Sequence, residues 1–322
     1  MRSDDSLARI LLVSRLFDEG VQPLKPSEYW KLCSQIGKPS VLLGQTESEL
    51  SQGHGFESEF AARIVRLLAR ATDMTSELER LEQSGISTLT PFDDRYPERF
   101  IKQLATRAPT LLYAAGELHL LQRPGIGVVG SRDVSDDGAD VAKEAAQLAA
   151  GLGYGLVSGG ARGVDELAMY AALDAGGTVV GVLAGALERK LKSPDVRGAI
   201  HERRAVMCTP YNPDAPHFHR GTAMGRNKLI YALSIITLVV ASDLEKGGTW
   251  YGASKALEQR SGRVGVWRGP GQGPGNEKLI EKGALAISSI DDLEAAVTDP
   301  EAEAVQPTQA TQQSLLGPGI QT

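Results

Sequence analysis

The sequence predicts an α/β protein, in which a small all-α domain precedes a Rossmann-like, parallel-rich sheet with helices on both faces. The 322 residues suffice for about two domains at roughly 150 residues each. Six short apolar runs alternate with alanine-rich helical segments after residue 125, whereas residues 6–85 carry helical periodicity. The 36 glycines among 322 residues exceed the usual share of roughly 7% and indicate many tight turns.

The N-terminal residues 1–85 are predicted to form the helical domain. Apolar side chains recur there at helical spacing, as in Phe60, Ile64 and Leu67, and the turns IGKPS and QGHGF separate the segments. Residues 86–124 mix proline, charged residues and short apolar runs. This composition is typical of a linker that packs along its neighbour, and the domain boundary is predicted within it.

The Rossmann-like domain is predicted at residues 125–293. Strands of a parallel sheet covered on both faces are apolar along their whole length, because neither face meets water. Six runs fit this description: IGVVG (126–130), GLVS (155–158), TVVGVLAG (178–185), AVMCT (205–209), IITLVVA (235–241) and RVGVW (263–267). Residues 294–322 are rich in Gln, Thr, Pro and Gly and are predicted to be a disordered, acidic and polar tail.

The charge of the chain excludes no class of partner. Lys and Arg number 34 against 40 Asp and Glu, a net charge of -6. Six of the acids and none of the basic residues lie in residues 283–322, so the rest of the chain is neutral. Local basic patches that bind a polyanion are therefore compatible with the overall acidity.

Cysteine usage and hydropathy predict a soluble protein of the reducing cytoplasm. Cys33 and Cys208 have no CxxC spacing, so neither a disulfide framework nor a zinc site is indicated. No run approaches the roughly 18 apolar residues of a membrane helix, and acids stand where a signal peptide carries basic residues. We expect no membrane contact, no cofactor and no metal.

Loops at the ends of the predicted strands carry the candidate chemistry, since ligands of open parallel sheets bind beyond the carboxyl ends of the strands. Gly130, Ser131 and Arg132 follow the first strand, and the guanidinium fork of Arg132 suits phosphate oxygens. The second strand ends in residues 158–163, where three glycines just before a helix favour an anion-binding nest of backbone amides.

Two further strand and helix junctions contain basic residues. Arg226 and Lys228 are predicted to open a helix, where positive charge is unfavourable unless an anion binds. Lys246 begins a glycine turn before another helix. The predicted phosphate site therefore comprises Gly130, Ser131, Arg132, Ser158, Gly159, Gly160, Arg162, Gly163, Arg226, Asn227, Lys228, Lys246, Gly247, Gly248 and Thr249.

Several patterns have plainer interpretations. Asp165 fits a first-turn acid that favours the helix dipole better than a catalytic group. Gly125, Gly127 and Gly130 match GxGxxG, but they lie within a predicted strand rather than between a strand and a helix, so the match is attributed to chance. The histidines of HFH (217–219) resemble half a metal site without a third ligand.

The order of motifs resembles the DNA-processing protein A family, also called DprA or Smf. VVGSR, SGGARGVDELAMYAALDAGGTVVGVL, GRNKLIYALS and GGTWYGASKALE carry the resemblance, which spans roughly residues 30–268. It implies an N-terminal domain of the SAM or helix-hairpin-helix type, single-stranded DNA binding at the loops above and a homodimer. It also implies loading of a RecA-type recombinase during natural transformation and DNA recombination.

Departures from the family leave alternatives open. Little foldable sequence follows Leu293, so we expect a divergent member without the winged helix that often closes the family, used in uptake, repair or defence against foreign DNA. LOG-type nucleotide phosphoribohydrolases share the wider fold and carry PGGxGTxxE, but Gly252 stands where their catalytic Glu belongs. We therefore expect binding rather than catalysis. A module that senses a nucleotide is the third alternative. If single-stranded DNA binds, the candidates for base stacking are Phe218, Tyr211 and Trp250.

Overall fold

The computed structural model describes residues 2–17, 20–214 and 220–299. These residues divide into two compact units, of which the first ends at Tyr113 and the second begins at Ala114. In this described part of the chain, no helix combines the length and the apolar character needed to span a bilayer.

The first unit is mainly helical, which confirms the predicted helical N-terminal region. Helix α4 buries Ala61, Ile64 and Leu67, which recur at helical spacing. The unit extends beyond residue 85 into the predicted linker. Its elements are α1 (Asp4–Val13), α2 (Pro26–Ile36), α3 (Glu47–His54), α4 (Ser58–Leu68), α5 (Ala71–Gln83), β1 (Ser87–Leu89) and α6 (Glu98–Leu104).

A buried arginine lies in the core of this helical unit. Arg9 is only 2% exposed, and its guanidinium carbon lies 4.4 Å from the ring centre of Tyr29 and 4.8 Å from those of Trp30 and Phe92. Its Nε also donates to the Tyr29 hydroxyl at 2.7 Å. Aromatic faces thus stabilise a charge that has left water.

The second unit alternates strands and helices, as the six apolar runs predict. Three of those runs coincide with the strand bounds, and the other three end within one to three residues of them. The unit contains, after the boundary strand β2 (Leu112–Gly116), β3 (Gly125–Val129), α7 (Asp136–Gly151), β4 (Gly155–Ser158), α8 (Val164–Asp174), β5 (Thr178–Val182), α9 (Leu187–Lys190), α10 (Pro194–His201), β6 (Ala205–Thr209), α11 (Arg220–Leu233), β7 (Ser234–Val239), α12 (Gly247–Gln259), β8 (Arg263–Trp267), α13 (Asn276–Glu281), β9 (Leu285–Ile287) and α14 (Ile290–Thr298).

In the sheet of this unit, successive strands of the chain are added on one side of β3 and then, from β7 onward, on its other side. Its strand order is β2-β6-β5-β4-β3-β7-β8-β9, and the pairs from β6 through β9 are parallel. Strands β4, β5 and β6 follow one another on one side of the central strand β3. Strands β7, β8 and β9 follow one another on its other side. The loops that follow β3 and β7 therefore diverge and leave a crevice at the carboxyl edge, where open α/β sheets bind ligands.

Two sequence predictions need correction. Helix α11 begins at Arg220, so Arg226 and Lys228 lie inside the helix and do not open it. Residues 294–298 belong to α14 and not to a tail, because Ala296 and Val297 extend its buried face. The rest of the predicted tail, from residue 300 onward, lies outside the described residues.

Candidate functional site

A cavity of about 430 Å³ occupies the crevice between the loops that follow β3 and β7. We call it the crevice pocket. Nine of the predicted phosphate-binding residues line it, drawn from three separate segments of the chain. They are Gly130, Ser131, Arg132, Arg226, Asn227, Lys246, Gly247, Gly248 and Thr249; Val129, Asp133, Ala161, Asp165, Ala223, Met224 and Asp243 complete the lining.

The loop after β3 is fixed by hydrogen bonds to its neighbours. The Thr249 hydroxyl donates to the Gly130 carbonyl at 3.0 Å, and the Val164 N–H donates to the Ser131 carbonyl at 3.2 Å. A Cβ at Gly130 would lie 2.6 Å from a Val164 methyl, so the close approach of α8 requires glycine here. These contacts hold the backbone of Arg132 at the crevice, while its side chain is exposed.

Arg226 is buried in the wall of the crevice pocket. Its side chain is 4% exposed, and its Nη1 lies 4.0 Å from Asp165 Oδ2. Burial lowers the pKa of the Arg226 guanidinium, while the Asp165 carboxylate raises it. Within the described residues, Nε and Nη1 of Arg226 have no hydrogen-bond partner. The wall of the cavity therefore contains two buried donors that no described residue satisfies.

The glycine-rich loop after β4 contacts both Arg226 and Asp165. A Cβ at Gly159 would overlap the Arg226 guanidinium, so glycine makes the room for it. The Gly159 N–H donates to Asp165 Oδ2 at 3.2 Å, and the N–H groups of Gly130 and Ala161 also bond to this carboxyl group. Burial raises the pKa of Asp165, and these amides together with Arg226 oppose that shift.

The predicted amide nest is therefore occupied by the protein's own carboxylate. Ser158 is fully buried, and its hydroxyl donates to the Val128 carbonyl at 2.6 Å. Gly160 adopts a positive φ of 62° and does not line the crevice pocket. For Ser158, Gly159 and Gly160, the geometry thus indicates a structural role in place of the predicted contact with a phosphate.

The N-terminus of α12 lies at the crevice pocket, and its first-turn N–H groups have no side-chain cap. No side chain caps this helix at Lys246, and the first three residues of α12 line the crevice pocket. Asn227 Nδ2 donates to the Gly248 carbonyl at 2.9 Å, which holds α12 against α11. The first-turn N–H groups and the helix dipole together favour an anion at this end of the helix.

The crevice pocket carries a small positive excess once its ion pairs are considered. Asp133 is paired with Arg162 at 2.6 Å, and Asp165 faces Arg226. The other charged residues of the lining are two cations, Arg132 and Lys246, and one acid, Asp243. The α12 N-terminus adds about half a positive charge. A phosphate group suits this combination of cations, amides and buried guanidinium donors.

A second cavity, of about 610 Å³, adjoins the crevice pocket. We call it the Tyr170 groove. Arg162 and Gly163, both predicted as site residues, line this groove and not the crevice pocket. Lys228 lines neither: it follows Arg226 by two residues and so points about 200° away around the helix.

Of the three candidate stacking aromatics, one is buried, one is half-buried and one is not described by the structure. Trp250 is only 4% exposed, Tyr211 is half-buried, and Phe218 lies outside the described residues with the rest of HFH. Tyr170, which the sequence analysis missed, is 41% exposed. Within the described residues, no group of three or more His, Cys, Asp or Glu side chains is arranged to hold a metal.

Comparison with known proteins identifies similar chains. Residues 87–298 match the family model described as DNA recombination-mediator protein A. DNA processing protein DprA of Bacillus subtilis is 28% identical over 277 residues, which cover 81% of this chain and 91% of that protein. The match to the putative DprA of Mycobacterium tuberculosis is 32% identical and covers 79% of this chain but only 65% of the relative's length.

Two solved structures share the fold. The X-ray structure of DprA from Streptococcus pneumoniae has a TM-score of 0.69 and 21% identity, and the match covers 91% of this chain and 98% of that one. A DprA structure from Helicobacter pylori, whose subject is its single-stranded DNA binding mode, has a TM-score of 0.54 and 24% identity. That match covers 66% of this chain and 95% of the other.

Proposed function

Because the chain belongs to the DNA recombination-mediator protein A family, we propose that it binds single-stranded DNA in DNA recombination or uptake. A family relative from Helicobacter pylori is described by its single-stranded DNA binding mode. The ligand groups held by the protein would be backbone phosphates, and the site would be the crevice pocket.

One observation carries this proposal. Three segments that are far apart in the sequence meet at the topological switch point and bring Arg132, Arg226 and Lys246 to one cavity with an uncapped helix N-terminus. Two buried donors of Arg226 have no partner among the described residues. Such donors are costly unless an acceptor reaches them, and a phosphate oxygen is the acceptor that matches their charge.

The mechanism follows from the chemistry of these groups. Arg132 and Lys246 lie exposed at the mouth of the crevice pocket and would attract the strand and neutralise phosphates. The α12 amides and the Arg226 donors would fix one phosphate deeper in the crevice. None of these groups reads a base edge, so binding would be largely independent of sequence. A cavity of about 430 Å³ is far too small for a duplex.

We expect binding to an unstructured oligonucleotide to weaken steeply with salt. Each neutralised phosphate of a single strand contributes about -0.7 to the slope of log K against log salt. Fluorescence anisotropy at several salt concentrations, on a single strand and on the duplex of the same sequence, measures this slope. A duplex that binds as tightly as the single strand, or a slope near zero, would remove the crevice pocket from the mechanism.

We also propose that the protein is a binder and not an enzyme. The position of the LOG-type glutamate is Gly252, where a Cβ would lie 2.9 Å from Asn227 Nδ2. Asn227 thus occupies the space that a carboxylate would need. Incubation with the common nucleoside monophosphates, followed by chromatography, should release no free base. Released base would favour the phosphoribohydrolase alternative, and tight nucleotide binding without oligonucleotide affinity would favour the sensor.

A RecA-type recombinase partner, a homodimer and a cytoplasmic location complete the proposal. Their support is the family itself, whose members are described as recombination mediators. Light scattering of the full chain tests the dimer. Adding the chain to recombinase and coated single-stranded DNA tests loading, which should shorten the lag before filaments assemble.

A further inference from the structure

The Tyr170 groove adjoins the crevice pocket at the loop that follows β3. Arg132 and Asp133 line both cavities, so the two lie side by side at this loop. One wall of the groove is the loop of residues 132–135. The other is a stripe of α8 and its N-cap, formed by Gly163, Glu166, Leu167 and Tyr170 at helical spacing.

The charged residues that line the Tyr170 groove balance, because they are two cations, Arg132 and Arg162, and two acids, Asp133 and Glu166. Arg162 and Asp133 neutralise each other at 2.6 Å. Glu166 faces Lys190 at 3.9 Å and would repel a phosphate placed beside it. The groove therefore lacks the positive excess that a second phosphate needs.

An aromatic ring stands at the far end of this groove. Tyr170 is 41% exposed, although large aromatic side chains are normally well covered. Its hydroxyl donates to Asp195 Oδ2 at 3.2 Å, which anchors the tip of the ring to α10. Leu167 adds apolar surface one turn earlier on α8. A ring anchored at its tip loses little freedom when a planar group packs on its face.

We propose that the Tyr170 groove is a nucleobase subsite, in which Tyr170 stacks on an unpaired base of the strand whose phosphate occupies the crevice pocket. This inference rests on the proposed function. A base is neutral and planar, which fits a groove of balanced charge with an exposed aromatic ring. Stacking of this kind tolerates any base, because every base has a π-face. Only an unpaired base can enter, so the subsite also selects single strands.

The test compares an unstructured oligonucleotide with the same strand built from abasic residues. Tyr170→Ala should weaken binding of the intact strand by roughly 5- to 150-fold, the range found for one aromatic stacking contact. It should leave binding of the abasic strand unchanged. Tyr170→Phe keeps the ring face and loses only the anchor to Asp195, so it should bind the intact strand much more tightly than Tyr170→Ala.

A matched control is Tyr154→Ala. Tyr154 is a partly exposed tyrosine that precedes β4, at the amino edge of the sheet, and its loss should affect neither strand. Equal affinity of the wild type and Tyr170→Ala for the intact strand, or an equal loss on both strands, would overturn the base subsite alone. A wild type that binds neither strand would overturn the proposed function and the subsite with it.

Discussion

Replacing Asp165 with alanine should lower the free energy of unfolding of the second unit by about 3–5 kcal/mol, the cost of leaving a buried partner charge unpaired. Arg226 would keep its burial but lose the carboxylate 4.0 Å away. The N–H group of Gly159 would also lose its acceptor. Amide hydrogen exchange in β3 and β4 measures the loss, because these central strands report the opening of this unit separately from the first.

The double variant Asp165→Ala with Arg226→Met separates charge from packing. Replacing a buried ion pair with apolar side chains of similar volume is often neutral or stabilising, so the double variant should recover most of the loss. It should bind single-stranded DNA more weakly than the wild type, because the Arg226 donors are gone. A loss below about 1 kcal/mol in the single variant would show that Arg226 does not depend on Asp165.

The strands were predictable because each is buried on both faces. Leu156 and Val157 of β4 and Val206 and Met207 of β6 are all essentially inaccessible, and continuous burial produces a continuous apolar run. The three-residue strand β9 was missed for the converse reason, since Leu285 is 44% exposed and the run is short. The start of α11 was also missed, because RGTAMG carries no N-cap signal or apolar periodicity.

The sequence predicted which residues gather at the carboxyl edge of the sheet, but not what each of them contacts. Glycines and basic residues at strand ends indicated the carboxyl edge, and nine of the predicted residues do line one cavity. A sequence pattern cannot show which anion a glycine nest holds. Here the anion is Asp165, the second residue of α8. Burial of Arg226 was equally hidden, because it depends on a tertiary contact with α8 and on the missing side chain of Gly159.

The exposure of Tyr170 could not be predicted from the sequence around it. In the sequence it lies among alanines in an apolar helix, AMYAAL, and looks like a core residue. Its exposure depends on which face of α8 meets the sheet. That face carries Ala168, Met169 and Ala172. Tyr170 lies on the other side of α8, about 100° or more around the helix from each of these residues, and its hydroxyl contacts Asp195 of α10.

Removing the two exposed cations of the crevice pocket should abolish most of the affinity for single-stranded DNA. Arg132→Ala with Lys246→Ala deletes two phosphate contacts. At about 1.5 kcal/mol for each charged hydrogen bond, binding should weaken roughly 100-fold at low salt. The salt slope should also become shallower by about 1.4, because two fewer counterions are displaced from a single strand. Both quantities come from the same anisotropy titration at several salt concentrations.

The double variant Lys143→Ala with Lys255→Ala is the matched control, because it changes the net charge equally. Lys143 and Lys255 are exposed within helices and pair with Asp140 at 2.9 Å and Glu258 at 2.8 Å. Neither lines the crevice pocket or the Tyr170 groove, so the control should change affinity by less than about 2-fold, as expected for long-range charge alone. Lys228→Ala provides a nearer comparison on α11 and should weaken binding less than Arg132→Ala. If both double variants lose the same affinity, net charge and not the geometry of the crevice determines binding.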